Sequence, residues 1–350
     1  MKTVVIAPSW IGDMVMAQSL LKKLKELDPS CFVGVAAPGW CLPLLSRMPE
    51  VDEAIKSPFA HGELAIGKRR TFGKELAEKG YELAIVLPNS FKSALAPFLG
   101  GIKKRRGWIG EQRYIVLNER LKGKDKFPRM VSRYVALAFD PAMTKIASPD
   151  DIGQISRPSL AVDKAAGLEA AERCGANIRG KILGMCPGAE YGPAKRWPTE
   201  YFAKVADHWI KNGGCVMTFG SKKDTQAAEA IIAASSPDAK QFITDMTGKT
   251  ELTEAIDLLG ACAAVVTNDS GLMHVSAAVG TPLVAVYGSS STQYTPPLSE
   301  KAACVWTNEK CRPCFKRNCP LGTTACLNEL KPERVIKELD SLLQKFGDAR

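Results

Sequence analysis

Short apolar runs alternate along this chain with stretches of helical spacing. Residues 3–8 (TVVIAP), 31–37 and 82–88 (ELAIVLP) are nearly continuous apolar runs, the pattern of strands covered on both faces. A small polar turn follows the first, and Val15, Leu20, Leu21, Leu24 and Leu27 then recur at helical spacing over 14–27. Pro38-Gly39 leads into a helix to about residue 47, and Asn89-Ser90 caps another. Between about 140 and 180 the periodicity weakens and Pro141, Pro149 and Pro158 interrupt it, which predicts a connecting segment. The rhythm then restarts, with strands over 181–186, 214–219, 242–245, 263–267, 282–287 and 303–306. One helix opens at Pro198-Thr199 with Phe202, Val205, Ala206, Trp209 and Ile210 on one face, and another starts near Asp224. A last helix starts at Pro332, with Val335, Ile336, Leu339, Leu342, Leu343 and Phe346 apolar. The pattern predicts an α/β chain of two doubly wound, Rossmann-like domains, 1–160 and 178–330, followed by a helical segment over 331–350. Ligands of such sheets sit beyond the carboxyl ends of the strands.

The 350 residues and 45% hydrophobic content are those of a globular protein with two domains. The uncharged run 270–299 holds a His, three Pro and three Gly, which argues against a membrane span. The apolar run at residues 4–7 is too short for a secretory leader, so a cytoplasmic location and reduced thiols are expected. The net charge is +10, and residues 56–133 carry 18 Lys/Arg against 7 Asp/Glu, an excess of 11 that accounts for all of it. Such a concentration suits an anionic partner: nucleic acid, an acidic membrane surface or a phosphorylated substrate. The runs Lys68-Arg69-Arg70 and 103–106 read by themselves as solvated faces. Aromatic residues do not interleave with the basic ones, which counts against nucleic acid.

Residues 263–279 (AAVVTNDSGLMHVSAAV) read as a buried strand, a small turn and a helix start. Free N–H groups and the helix dipole favour a phosphate there, and Ser270 and Gly271 let it approach. His274 falls one turn on, on the face of Ser270; an ordinary turn with Ser270 as N-cap competes with this reading. The loop 187–198 (PGAEYGPAKRWP) presents Lys195, either a phosphate-neutralising point charge or a solvated lysine. No G-x-G-x-x-G follows the first strand, and the GKT at 248–250 has Ile243 where a Walker A loop needs glycine. After the first strand, Gly12 frees the backbone and Asp13 stands at a helix start, as a general base or a dipole-capping residue. NSFKS at 89–93 offers an amide, two hydroxyls and Lys92 to a sugar or phosphate, or is a plain capped helix. Cys311, Cys314, Cys319 and Cys326 share one loop, as a tetrahedral metal site, free thiols or a labile disulfide. The other cysteines read as core, and His61 and His208 as surface groups without chemistry.

Taken together, SWIGDM at 9–14, NSFKS, PGAEYGPAKRWP and TNDSGLMH at 267–274 strongly resemble the ADP-heptose:lipopolysaccharide heptosyltransferases, in the expected order. The cysteine loop also looks like one in part of that family. The resemblance implies a GT-B fold: two Rossmann-like domains facing across a cleft, acceptor in the first, ADP-sugar in the second. The last helix would cross back to the first domain. It implies inverting transfer of L-glycero-D-manno-heptose from ADP-heptose to the first heptose of the lipopolysaccharide inner core. Asp13 matches the family's catalytic base, and Lys195 its donor-phosphate cation. Gly188, Glu190, Lys195, Asp269, Ser270, Gly271, Leu272, Met273 and His274 match the donor site, and Ser9, Trp10, Asn89, Ser90 and Lys92 are assigned to the acceptor. No metal ligand is implied and no cofactor is required, with Mg²⁺ left as an option. Expected partners are ADP-heptose, the phosphorylated lipid A–Kdo–heptose acceptor and, transiently, the cytoplasmic face of the inner membrane; nucleic acid is not one, and the chain is expected to be a monomer. The rival readings are heptosyltransferase I or another ADP-sugar glycosyltransferase and, distantly, a non-enzymatic nucleic-acid-binding protein.

Overall fold

The computed structural model describes residues 1–60 and 62–347; His61 and the last three positions of the 331–350 segment lie outside them. The chain divides into two units, Met1–Pro158 and Ser159–Arg350.

In the first unit β1 (Lys2–Ile6), β2 (Phe32–Ala37), β3 (Glu53–Lys56), β4 (Leu83–Val86), β5 (Lys104–Trp108) and β6 (Glu119–Leu121) form one parallel sheet in the order β3-β2-β1-β4-β5-β6. Ile6 at the end of β1 faces Ala36 on one side and Val86 on the other. In the second unit β7 (Ile182–Cys186), β8 (Cys215–Thr218), β9 (Ile243–Asp245), β10 (Ala264–Asn268), β11 (Leu283–Val286) and β12 (Ala302–Val305) are again parallel, ordered β12-β11-β10-β7-β8-β9. Counted from its own first strand, each sheet therefore runs 3-2-1-4-5-6. Each reverses its winding once, at β1/β4 and at β7/β10. The chain leaves those two neighbours toward opposite faces, which opens a crevice beyond their carboxyl ends.

The central strands are the apolar runs of the sequence, and β4, β7, β8, β10 and β11 are buried along their whole length. β3, β5 and β6 escape the hydrophobic pattern because they lie away from the centre of the sheet, β3 on one side and β5-β6 on the other, and carry EAIK, KRRGW and ERL. Arg106 corrects the reading of 103–106 as a solvated run. It is buried, with its guanidinium 2.6 Å from Glu119 and donating to the carbonyls of Leu137 and Ala138. Arg69 is likewise buried, on the helix Ile66–Glu78, and donates to the carbonyls of Glu63, Leu64 and Lys92.

The connecting segment contains a helix, Lys164–Arg173, capped by the Asp163 carboxylate on the Ala166 N–H. Its Gly167 lies against the backbone of Asp257 and Leu258, where a Cβ would come within 2.7 Å. With Leu160 N–H on the Ala278 carbonyl, this stretch packs within the second unit. The last helix, Pro332–Phe346, lays its apolar face on the helix Thr199–Lys211 and on β10–β12. Its apolar stripe, Val335, Leu339 and Leu342, is buried in the second unit's core. No helix among the described residues is long and apolar enough to cross a membrane.

Removing Arg106 takes from Glu119 its close partner, leaving it Lys104 at 3.4 Å, and leaves the Leu137 and Ala138 carbonyls without their donor. Arg106→Ala is therefore expected to cost about 3 kcal/mol, read from the urea midpoint of the first unit. The double change of Arg106 and Glu119 to leucine is expected to recover most of that loss.

Candidate active site

In the first unit the predicted residues collect at the β1/β4 reversal. β1 runs out through Ser9 and Trp10 into the helix Ile11–Leu27, whose first turn holds Asp13. Asp13 is half-buried, and its Oδ1 accepts from the Tyr134 hydroxyl at 3.2 Å. Beyond β4, Asn89 is exposed, and Ser90 and Lys92 are half-buried. Ser93 Oγ donates to the carbonyls of Pro88 and Ser90 and closes that turn. Arg113 was not foreseen. It is fully buried, donates to the carbonyls of Pro88 and Trp108, and reaches Asn89 Oδ1 at 3.4 Å. Nearby, partial burial and the charges of Arg133 and Arg113 hold the Lys124 ammonium below its ordinary pKa. The local sequence carries no signal for Tyr134 or Arg113, because both arrive from segments distant along the chain.

In the second unit the predicted residues meet at the β7/β10 reversal. The Lys195 ammonium lies 2.6 Å from Asp269, whose carboxylate is buried. Asp269 follows β10, and its N–H continues the ladder to the Val286 carbonyl. Asn268, also missed, is fully buried and staples the loop after β7: its amide donates to the Pro187 carbonyl, and its Oδ1 accepts from Trp197 N–H. Ser270 stands at the N-cap of the helix Gly271–Ala278, yet its side chain makes no capping bond. Gly271 and Leu272 are half-buried in the first turn, and Met273 is buried beneath them. Gly188 is required by close approach, since a Cβ there would meet Asp224 Oδ1 at 2.4 Å. Glu190 is exposed and pairs with Lys223 at 2.8 Å.

His274 is buried and its pKa is pushed down to about 4, first by burial and further by Lys195, with Asp269 opposing. It is a neutral imidazole at pH 7, able to hydrogen-bond but not to add charge.

The cysteine-bearing segment packs against both loops around Lys195. Arg312 donates to the carbonyls of Gly288, Ser290 and Thr307, and Phe315 N–H to that of Ser289. Tyr191 donates its hydroxyl to the Phe315 carbonyl, Arg317 donates to the Tyr191 carbonyl, and Ala194 N–H donates to that of Arg317. All eleven cysteines are free thiols, and Cys319 Sγ accepts from Thr324 N–H. Among the described residues no group of three or more His, Cys, Asp or Glu side chains is disposed to hold a metal ion.

Two parallel six-stranded sheets of this order, each with its polar residues at the winding reversal, are the α/β architecture of the GT-B glycosyltransferases, and comparison with known proteins places the chain in that class. The chain belongs to glycosyltransferase family 9, the heptosyltransferases, whose model matches residues 69–325. It is 47% identical to lipopolysaccharide heptosyltransferase 2 of Salmonella typhimurium over 99% of this chain and 100% of that one. It is 46% identical to lipooligosaccharide heptosyltransferase 2 of Haemophilus influenzae, again over 99% and 100%. The solved structure of Escherichia coli ADP-heptose lipopolysaccharide heptosyltransferase II superposes with a TM-score of 0.88, 43% identity and 99% coverage of both chains.

The buried imidazole makes stability pH-dependent. His274 takes a proton near its ordinary value of 6.5 when unfolded but only near 4 when folded. Its contribution is therefore complete above 6.5 and is lost as pH falls toward 4, by up to about 3 kcal/mol. Denaturant titrations across that range are expected to show the decline, and His274→Gln to flatten it.

Proposed function

We propose that this chain transfers L-glycero-D-manno-heptose from ADP-heptose to the first heptose of the lipopolysaccharide inner core, the reaction of heptosyltransferase II. The observation that carries the reading is full-length likeness to heptosyltransferase 2 proteins, joined to a cation and a helix N-terminus at one sheet reversal. The donor diphosphate sits at the β7/β10 reversal, against Lys195 and the N–H groups at the start of Gly271–Ala278. The acceptor binds the first unit, where Asp13 removes the proton from the attacking hydroxyl. That oxygen bonds to the anomeric carbon as the bond to the ADP oxygen breaks, inverting the centre through an oxocarbenium-like transition state. ADP departs as an anion and needs no general acid. Its growing charge meets Lys195 and fixed amide dipoles, each well-aimed donor lowering the barrier by roughly 3–4 kcal/mol.

Tyr134 orients the base through its bond to Oδ1. An acceptor phosphate or carboxylate relieves the mutual repulsion of Arg113, Lys124 and Arg133. The basic excess of residues 56–133 also draws the chain, as a monomer, transiently to the anionic inner face of the membrane. No cofactor takes part, and Mg²⁺ serves at most to screen the diphosphate.

Mass spectrometry of a heptose-deficient core acceptor incubated with ADP-heptose and pure protein tests the reading; the acceptor is expected to gain one heptose. Asp13→Ala is expected to lower kcat by at least about a hundredfold with ADP affinity nearly intact, and Lys195→Ala to weaken ADP binding as well as rate. Turnover is expected to continue in excess EDTA, and its loss there overturns the cofactor-free scheme.

A further inference from the structure

Of the six tryptophans, the two most exposed belong to the first unit; Trp306 in the second is 37% exposed. Trp108, Trp197 and Trp209 are buried, each with its Nε1–H on a backbone carbonyl. Trp10 and Trp40 remain 46% and 54% exposed. Both belong to turns that leave the carboxyl ends of neighbouring strands, Trp10 after β1 and Trp40 after β2.

Local structure gives neither a reason to be tryptophan. Trp10 is the N-cap of Ile11–Leu27, with extended backbone (φ −96°, ψ 138°) and no side-chain capping bond. An N-cap favours a small side-chain oxygen that accepts from the first turn, which an indole lacks. A position that breaks a local rule without packing gain is where function is expected. Trp40 is pinned but not covered: its Nε1–H donates to the Ser9 carbonyl at 3.0 Å while most of the ring stays in solvent. Both indoles are thus held on the dipeptide Ser9-Trp10. Asp13 lies three residues beyond Trp10, in the first turn of the helix that Trp10 opens.

We infer that Trp10 and Trp40 form a stacking platform for the pyranose ring of the acceptor sugar, the ring whose hydroxyl Asp13 deprotonates; this rests on the function proposed above. A pyranose presents an apolar C–H face and a rim of hydroxyls. Exposed flat aromatic area matches the face, and Ser9, Asn89 and Asp13 supply polar groups for the rim. Stacking on a fixed ring also sets the angle at which the hydroxyl meets its base. Small displacements there reduce rate strongly.

The test is steady-state kinetics with ADP-heptose and a delipidated core oligosaccharide carrying Kdo and one heptose. Trp10→Leu and Trp40→Leu keep apolar bulk and lose the flat face; Trp10→Phe keeps a flat ring. The leucine variants are expected to raise acceptor KM about tenfold, with donor KM and ADP affinity within twofold of wild type. Trp10→Phe is expected to restore most of the loss. Wild-type acceptor KM in both leucine variants, or an equal shift in donor KM, overturns the platform and leaves the proposed function standing. Absence of heptose transfer by the wild-type chain overturns both. If the leucine variants fail to fold, the phenylalanine variants decide: the platform predicts that Trp10→Phe and Trp40→Phe together abolish the change in indole emission on adding the oligosaccharide, and its persistence refutes it.

Discussion

A parallel sheet cannot bury the ends of its strands. Beyond each carboxyl end the chain must turn with backbone N–H groups still unpaired, and only where winding reverses do neighbouring turns part and leave room for a ligand. Both units have that reversal at their first and fourth strands. The four polar motifs of the chain fall at those four strand ends and at none of the other eight. The rest of the architecture, from apolar central strands to polar flanking ones, serves to hold those turns in register.

Holding a turn is harder than placing it, because a loop has no ladder of its own. In the second unit the work falls on the buried Asn268 and on two arginines of the cysteine-bearing segment. Asn268 ties the end of β10 to the carbonyl of Pro187 and the N–H of Trp197. From the outer side, Arg312 and Arg317 bind backbone carbonyls of the Gly288–Ser290 and Tyr191 turns. The cysteine-bearing segment is thus part of the frame of Lys195, whatever its thiols do. Its arginines reach backbone carbonyls of the two turns, and the Tyr191 hydroxyl is the turn side chain that answers them, on the Phe315 carbonyl.

The central strands and the long amphipathic helices were legible because burial on both faces leaves an uninterrupted apolar run. β3, β5 and β6 were not, since a flanking strand keeps its pairing while carrying charged residues. The same charges misled the reading of 103–106, where a buried ion pair looks in sequence like a solvated run. Lys195, Asp269 and Asp13 could be placed because each lies within a few residues of a strand end. Tyr134, Asn268 and Arg113 could not be assigned roles, for their partners are distant in sequence and no spacing rule joins them. The helix Lys164–Arg173 was hidden by its small residues, which fit a close helix contact and give little hydrophobic contrast.

The charge balance around Lys195 narrows what each group there can contribute. Before a ligand arrives, the ammonium and the Asp269 carboxylate neutralise each other in a largely buried contact. In the proposed reaction a diphosphate entering shares the ammonium with that carboxylate, so Asp269 keeps Lys195 in place but lowers the attraction for substrate in the ground state. On that proposal, as the bond to the sugar breaks, negative charge on the leaving oxygens grows while that on Asp269 stays fixed, and the ammonium is drawn more strongly to the leaving group. Stabilisation that strengthens along the reaction accelerates it, whereas equal binding throughout does not. His274, kept neutral by burial, cannot add a second charge to this exchange. The proposal assigns the remaining response to the N–H dipoles of Gly271–Ala278, which are already oriented and need no rearrangement.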